Sequence, residues 1–175
     1  MGQELASCPR TFPLVLHRRL PRWDLRQHTY FLSPCLRERR HLFHNGALAE
    51  HLISLYAAQQ EAREIALHGY VVMPDHYHVL FTLTAEAGVS DIVRAVHSLF
   101  AAPCRAQTDL RGTAWQTRFH DHVIRSEEEW RETLSYIHEN PVTRGLVARA
   151  SDYPWSSAGF WETGEGPVRC AGPWW

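Results

Sequence analysis

Residues two apart on a β-strand project from the same face. A strand through His76-Tyr77-His78 would therefore present two imidazoles together and turn Tyr77 away. Two imidazoles on one sheet face can hold one divalent cation. Spacing alone does not decide the matter, because among twelve histidines about one His-x-His arises by accident, and His120-Asp121-His122 is a second such pair. Tyr136 and Asn140 form another candidate unit. Four residues apart in a helical pattern, they share a face offset from the apolar stripe of Trp130, Leu134 and Ile137. A phenol and an amide so placed can act jointly, provided a base or a metal assists a group whose ordinary pKa is about 10. Equally, Tyr136 can be a half-buried packing residue and Asn140 a helix-terminal residue before proline.

The elements that must position these groups follow from periodicity. Thr29 to Leu36 reads as a first strand, and Asn45 can cap a helix in which Leu48, Leu52, Leu55, Ala62 and Ile65 recur, ending near Leu67 before Gly69. Tyr70 to Met73 and His76 to Leu83 flank the turn residues Pro74-Asp75 and read as an antiparallel hairpin. Ser90 can cap a second helix carrying Ile92, Val93, Val96, Leu99 and Phe100, which Pro103 should stop or kink. Arg118 to Arg125 reads as a fourth strand, and Ser126 with Glu129 forms a capping box that opens a third helix, ended by Asn140-Pro141. The order β-α-β-β-α-β-α predicts an α+β fold: a ferredoxin-like four-stranded antiparallel sheet, helices on one face, plus an added C-terminal helix bearing the tyrosine.

At 175 residues the chain can bury one core and is short for two. A body at 18–160 is expected between an N-terminal tail at 1–17 and a Gly/Pro-rich C-terminal tail at 161–175. The lack of a long apolar stretch and of a secretory layout predicts a soluble, cytoplasmic protein with no membrane partner. Cys8, Cys35, Cys104 and Cys170 are scattered without a C-x-x-C pair and read as reduced, structural thiols. No Gly-rich phosphate loop is present, so no nucleotide cofactor is expected.

All 18 basic residues are Arg, planar forks suited to phosphate. The net charge of -1 argues against a protein that coats nucleic acid without specificity. The charge is uneven, however: residues 1–60 carry eight Arg against four acids, the remainder ten against fifteen. A phosphate-binding surface should therefore draw on the N-terminal third.

Four ordered segments carry a resemblance that covers most of the chain. Gly69 to Leu80 with Met73-Pro-Asp-His-Tyr-His78, Trp115-Gln116 with Phe119 to Arg125, Tyr136-Ile-His-Glu-Asn-Pro-Val142 with Gly145-Leu-Val147, and Tyr153-Pro-Trp-Ser-Ser157 resemble the IS200-like tyrosine transposases of HUH type. The opening Arg18-Arg-Leu-Pro-Arg-Trp23 followed by Thr29-Tyr-Phe31 resembles the REP-associated branch. The resemblance implies that His76 and His78 coordinate Mg²⁺ or Mn²⁺ with Asn140 completing the protein's share of the shell. It further implies that Tyr136 attacks a DNA phosphodiester to leave a 5′-phosphotyrosine and a free 3′-hydroxyl. The chain departs from relatives at His97, where a lysine is usual. His120 and His122 are assigned to structure or to DNA contact.

The implied partner is single-stranded DNA folded into short palindromic hairpins, nicked beside the hairpin. Such a ligand needs phosphate contacts and stacking aromatics. Arg18, Arg19, Arg22 and Arg26 with Trp23 make the first candidate patch, and Trp115 with Arg118 the second. Insertion-sequence relatives form dimers in which the partner supplies the tyrosine helix; the REP-associated resemblance implies a monomer, with a homodimer the alternative. Two other readings stand beside nicking: a non-catalytic DNA-binding or regulatory module on the same fold, and a metal-dependent phosphodiesterase using water as nucleophile.

Overall fold

Strands β1 (Thr29–Ser33), β2 (Ile65–Met73), β3 (His76–Leu83) and β4 (His120–Ile124) form one antiparallel sheet in the order β2-β3-β1-β4. They belong to a computed structural model that describes residues 27–173. Alternation divides the sheet into two apolar faces. Tyr30, Leu32, Tyr77, Val79 and Phe81 point to one face and pack against Leu48 and Leu52 of helix α1 (Gly46–Glu61) and Ile92, Val96 and Phe100 of helix α2 (Val89–Gln107). Phe31, Val71, Leu80 and Ile124 point to the other, where Trp130, Leu134 and Ile137 of helix α3 (Glu127–Thr143) cover them. The arrangement is the ferredoxin-like one, with α1 and α2 on one face and the added helix α3 on the opposite face. Each large apolar side chain buried in these layers contributes about 1.5–3 kcal/mol.

Four helix boundaries differ from the sequence expectation. Helix α1 stops at Glu61, and Ile65 to Leu67 begin β2 rather than ending the helix. The stop is a left-handed residue at Arg63 (φ 60°), with Arg63 N–H donating to the Gln60 carbonyl and Glu64 N–H to that of Gln59. That closure is usually made by glycine, so an arginine there hides it. Helix α2 starts after Gly88, whose N–H donates to Asp91, rather than at Ser90. It also continues through Pro103 to Gln107. The carbonyl this proline leaves without a donor belongs to Leu99, on the exposed side of the helix, where water can serve it. Helix α3 likewise passes Pro141 and closes at Gly145 (φ 67°), where Gly145 N–H donates to Val142 and Leu146 N–H to Pro141.

Beyond α3 the chain returns to the free edge of β2. Val72 N–H donates to Trp155, Ser157 N–H to Tyr70, and the Tyr153 hydroxyl to the Val72 carbonyl at 2.9 Å. The segment expected to be a tail from residue 161 is instead bonded to the body as far as Ala171. After helix α4 (Ala158–Thr163), Val168 and Cys170 are buried and Ala171 N–H donates to the Leu67 carbonyl at 2.7 Å. Cys35, Cys104 and Cys170 are buried. Gly69 sits at a register shift in β2, and a Cβ there would lie 2.3 Å from Leu134 Cδ1. A larger residue there would have to push the Leu134 methyl aside, room that glycine leaves to α3.

Candidate active site

His76 and His78 leave β3 on the α3 face, as alternation requires, with ring centroids 4.9 Å apart. Both are almost fully buried, at 2% and 1% exposure. In His76, Nδ1 lies 2.6 Å from Asp75 Oδ1, while Nε2 has no hydrogen-bond partner among the described residues. Among the same residues His78 has no hydrogen-bond partner at either nitrogen. Burial pushes the His78 imidazole well below its usual range, and the nearby His76, His120, Arg144 and Arg39 press in the same direction. It is therefore held neutral, the form that binds a metal.

Asp75 belongs to the two-residue turn between β2 and β3, and its Oδ2 accepts from Arg39 Nη1 at 3.0 Å. Burial alone would raise its pKa, but the hydrogen bond and charge of His76, with the charge of Arg39, outweigh that and hold the carboxyl at about 2.

Helix α3 brings Tyr136 over this pair. Its half-buried ring lies 5.4 Å from His78 and 6.1 Å, edge-on, from Phe31, while Phe31 stacks on His78 at 5.3 Å. The helix is oriented at its start by Ser126, which accepts from Glu129 N–H, and by Glu129, which accepts from Arg125 N–H at 2.7 Å and meets His122 Nε2 at 2.5 Å. Asn140, one turn on from Tyr136, is 5% exposed. Its amide nitrogen donates to the Tyr136 carbonyl at 3.1 Å, which leaves the amide oxygen as the group's acceptor. Arg144 caps the C-terminus of α3, exposed and close enough for its charge to act on His78. Tyr136, Asn140 and Arg144 are thus spaced i, i+4, i+8, along one helix face.

The second histidine pair also faces this side. Ser33 pairs with His120 and Phe31 with His122, so exposed His120 stands across Ser33 from the His78 position, whereas His122 is tied to Glu129. The other expected contacts separate. Trp115 is only 5% exposed and lies in the core of the opposite face, stacked on His97 at 3.9 Å, so it offers no open ring to a base and the stacking role expected of it is withdrawn. Arg118 is exposed. Arg18, Arg19, Arg22, Trp23 and Arg26 lie outside the described residues. His97 belongs to the far face, where its Nε2 meets Tyr77 Oη at 2.9 Å and burial lowers its pKa to about 3, so it supplies no cation there. Sequence reasoning took Asp75 only as a turn residue and missed Arg39 and Arg144. Asp75 stood inside a recognised motif, but nothing local marks the two arginines.

These groups fit a divalent cation. Two of the three buried imidazole nitrogens that have no partner among the described residues, His76 Nε2 and one nitrogen of His78, are what a bound ion would satisfy, since each costs about 1–3 kcal/mol when left unpaired. No cluster of three or more His, Cys, Asp or Glu forms among the described residues, so further ligation would fall to an amide oxygen and water.

A sheet that sets buried imidazoles beneath a helix tyrosine has the layout of a tyrosine-dependent phosphodiester-cleaving enzyme. Sequence and fold comparison agree: the profile of the family described as "Transposase IS200 like" matches residues 24–140. The REP-associated tyrosine transposase of Escherichia coli (strain K12) is 30% identical over 139 residues, which cover 78% of this chain and 79% of that relative. The solved structure of a REP-associated tyrosine transposase bound to a REP hairpin superposes with a TM-score of 0.68 at 27% identity, covering 89% of this chain and 92% of the other. The chain belongs to the IS200-like transposase family, in its REP-associated tyrosine transposase branch. It is an HUH-type tyrosine transposase, an enzyme that nicks single-stranded DNA through a tyrosine intermediate, and family membership implies dependence on a divalent metal.

Proposed function

We propose that the protein nicks single-stranded DNA beside a palindromic hairpin, with Tyr136 as nucleophile and with His76, His78 and the Asn140 oxygen as the ligands of Mg²⁺ or Mn²⁺. The observation that carries this reading is the seating of Tyr136 against His78, ring to ring at 5.4 Å within one chain, above buried imidazole nitrogens that nothing else uses. When bound, the ion would withdraw charge from the phosphodiester and orient it. Nitrogen donors favour Mn²⁺ over Mg²⁺ in affinity. Arg144, cationic at the end of the same helix face, supplies a phosphate contact.

The Tyr136 phenol loses its proton and its oxygen bonds to phosphorus as the bond to the 3′-oxygen breaks. The 3′-oxygen leaves with a proton as a free hydroxyl, and the 5′-phosphate stays on Tyr136. The hairpin preference is inferred from the relative solved with a REP hairpin. Arg18, Arg19, Arg22, Trp23 and Arg26, with Arg118, are the proposed backbone and base contacts. Tyr136 lies beside His78 of its own chain, an arrangement suited to catalysis in cis by a monomer, and a homodimer is the alternative. No helix among the described residues is long and apolar enough to cross a membrane, in keeping with a cytoplasmic site of action.

Purified protein with Mn²⁺ and a labelled single-stranded hairpin should form a covalent adduct that survives denaturation. Tyr136→Phe should reduce adduct formation by at least about three orders of magnitude while leaving Mn²⁺ binding intact. An adduct that persists in Tyr136→Phe moves the nucleophile elsewhere. Cleavage without any adduct would favour the water-using phosphodiesterase, and hairpin binding without cleavage the regulatory module. Neutralising Arg18 and Arg19 should weaken hairpin binding and lower its log-log salt slope by about 2; an unchanged slope removes them from the interface.

A further inference from the structure

His76 differs from His78 in having one nitrogen already engaged. Its Nδ1 lies 2.6 Å from Asp75 Oδ1, and a carboxylate at that distance can only accept, so Nδ1 carries the proton and Nε2 carries the lone pair. Nε2 is the buried atom without a protein partner. Asp75 in turn is gripped from outside the hairpin. Arg39 Nη1 donates to Asp75 Oδ2 at 3.0 Å, Leu36 N–H donates to the Asp75 carbonyl at 2.9 Å, and Phe43 N–H to the Pro74 carbonyl at 3.2 Å. The side chains grade from surface to core, with Arg39 28% exposed, Asp75 20% and His76 2%.

The backbone that delivers Arg39 is strained. Glu38 and Arg39 both take left-handed conformations, φ 57° and 53°, although neither is glycine. Consecutive left-handed L-residues cost conformational energy and persist only where the surroundings enforce them. Here they set the Arg39 guanidinium against Asp75.

We infer that Asp75 and Arg39 are positioning residues for the metal site: Asp75 fixes the His76 tautomer and ring so that Nε2 faces the ion, and Arg39 fixes the carboxylate of Asp75. The inference rests on His76 and His78 being the metal ligands. Each acts on the ion through His76, as outer partners of metal-bound histidines do.

The test uses the full chain at mildly alkaline pH, with ¹⁵N NMR of the metal-free protein for the tautomer, Mn²⁺ affinity by electron paramagnetic resonance, and thermal melting. Wild type should show the Nδ1–H tautomer of His76. Asp75→Ala should lose that bias and bind Mn²⁺ about 10–100-fold more weakly. Asp75→Asn retains an acceptor oxygen and should restore the tautomer, with affinity recovered to within a few-fold of wild type. Arg39→Ala should weaken Mn²⁺ binding less than Asp75→Ala does. Arg39→Gly should bind Mn²⁺ as weakly as Arg39→Ala yet melt higher, because glycine relieves the left-handed strain. A role confined to stability would instead move melting and leave tautomer and affinity unchanged. An Nε2–H tautomer in wild type, or unaltered Mn²⁺ affinity in Asp75→Ala, overturns the inference. Intact Mn²⁺ binding in a His76→Ala/His78→Ala variant would overturn the metal reading instead, and the tautomer measurement would still decide whether Asp75 orients the ring.

Discussion

Two histidines on the same sheet face live opposite lives. His68, near the start of the β2–β3 hairpin, is buried with both nitrogens engaged: Nδ1 lies 2.8 Å from the Ala171 carbonyl oxygen, and Nε2 lies 2.7 Å from Thr82 Oγ1, which itself meets Thr29 Oγ1 at 2.7 Å. His78, further along the face, is equally buried and engaged at neither nitrogen. Burial lowers the pKa of both, so both are neutral. On the proposed metal reading, the difference separates a histidine that is scaffold from one that is tool. A scaffold histidine satisfies its polar atoms locally, whereas a binding histidine carries an unmet need into a hydrophobic wall and is stable only because the rest of the fold tolerates the cost.

That contrast can be broken most directly with the metal. Mn²⁺ at about a hundred times its Kd should stabilise wild type by about 2.7 kcal/mol, and His78→Leu should abolish the whole increment, as read by thermal melting with and without the ion. His68→Leu should keep the increment but destabilise the protein by about 1–3 kcal/mol, since it strips partners from Thr82 and the Ala171 carbonyl. In the metal-free protein His78→Leu should have the reverse sign, a gain of about 1 kcal/mol, because it removes two unpaired nitrogens from an apolar setting. If both leucine variants lose stability equally, the two histidines do not differ in kind.

His97 sharpens the comparison from the other face, being bonded at Nε2 to Tyr77 and stacked on Trp115. Its folded pKa of about 3 lies below the unfolded value of about 6.5. Below pH 6.5 the unfolded chain therefore takes up a proton that the folded chain refuses. Stability is unaffected by this group above that pH and falls as pH drops toward 3, by up to about 1.4 kcal/mol per pH unit. His97→Phe, which keeps an aromatic ring against Trp115, should flatten the acid limb of a stability-against-pH curve by about one proton.

The sheet and the site were legible in the sequence to different degrees. β3 was read with its observed bounds, because His76 to Leu83 follows turn residues with β-formers throughout, and the facing of His76 and His78 followed from alternation alone. The tyrosine face of α3 was equally plain from the i, i+4 spacing. What failed were local stop signals overruled by tertiary context. Pro103 and Pro141 sit inside helices that packing holds together, and Arg63 performs a glycine's closure. Trp115 was misread because composition cannot tell a surface indole from one wedged between Phe43, Phe100 and His97. Arg39 was invisible because its importance comes from a partner 36 positions away.

Gly69 has a reach beyond its own strand. It lies against Leu134, two residues before Tyr136, so the gap between helix and sheet is gauged by a methyl group that is missing. A methyl added there would have to displace that of Leu134 and, where the leucine cannot swing aside, would act as a wedge that lifts Tyr136 off the imidazoles while every reactive atom stayed in the molecule. The seat of Tyr136 thus leans on a spacer of zero thickness, one that takes no part in the chemistry and that no inventory of reactive groups would name.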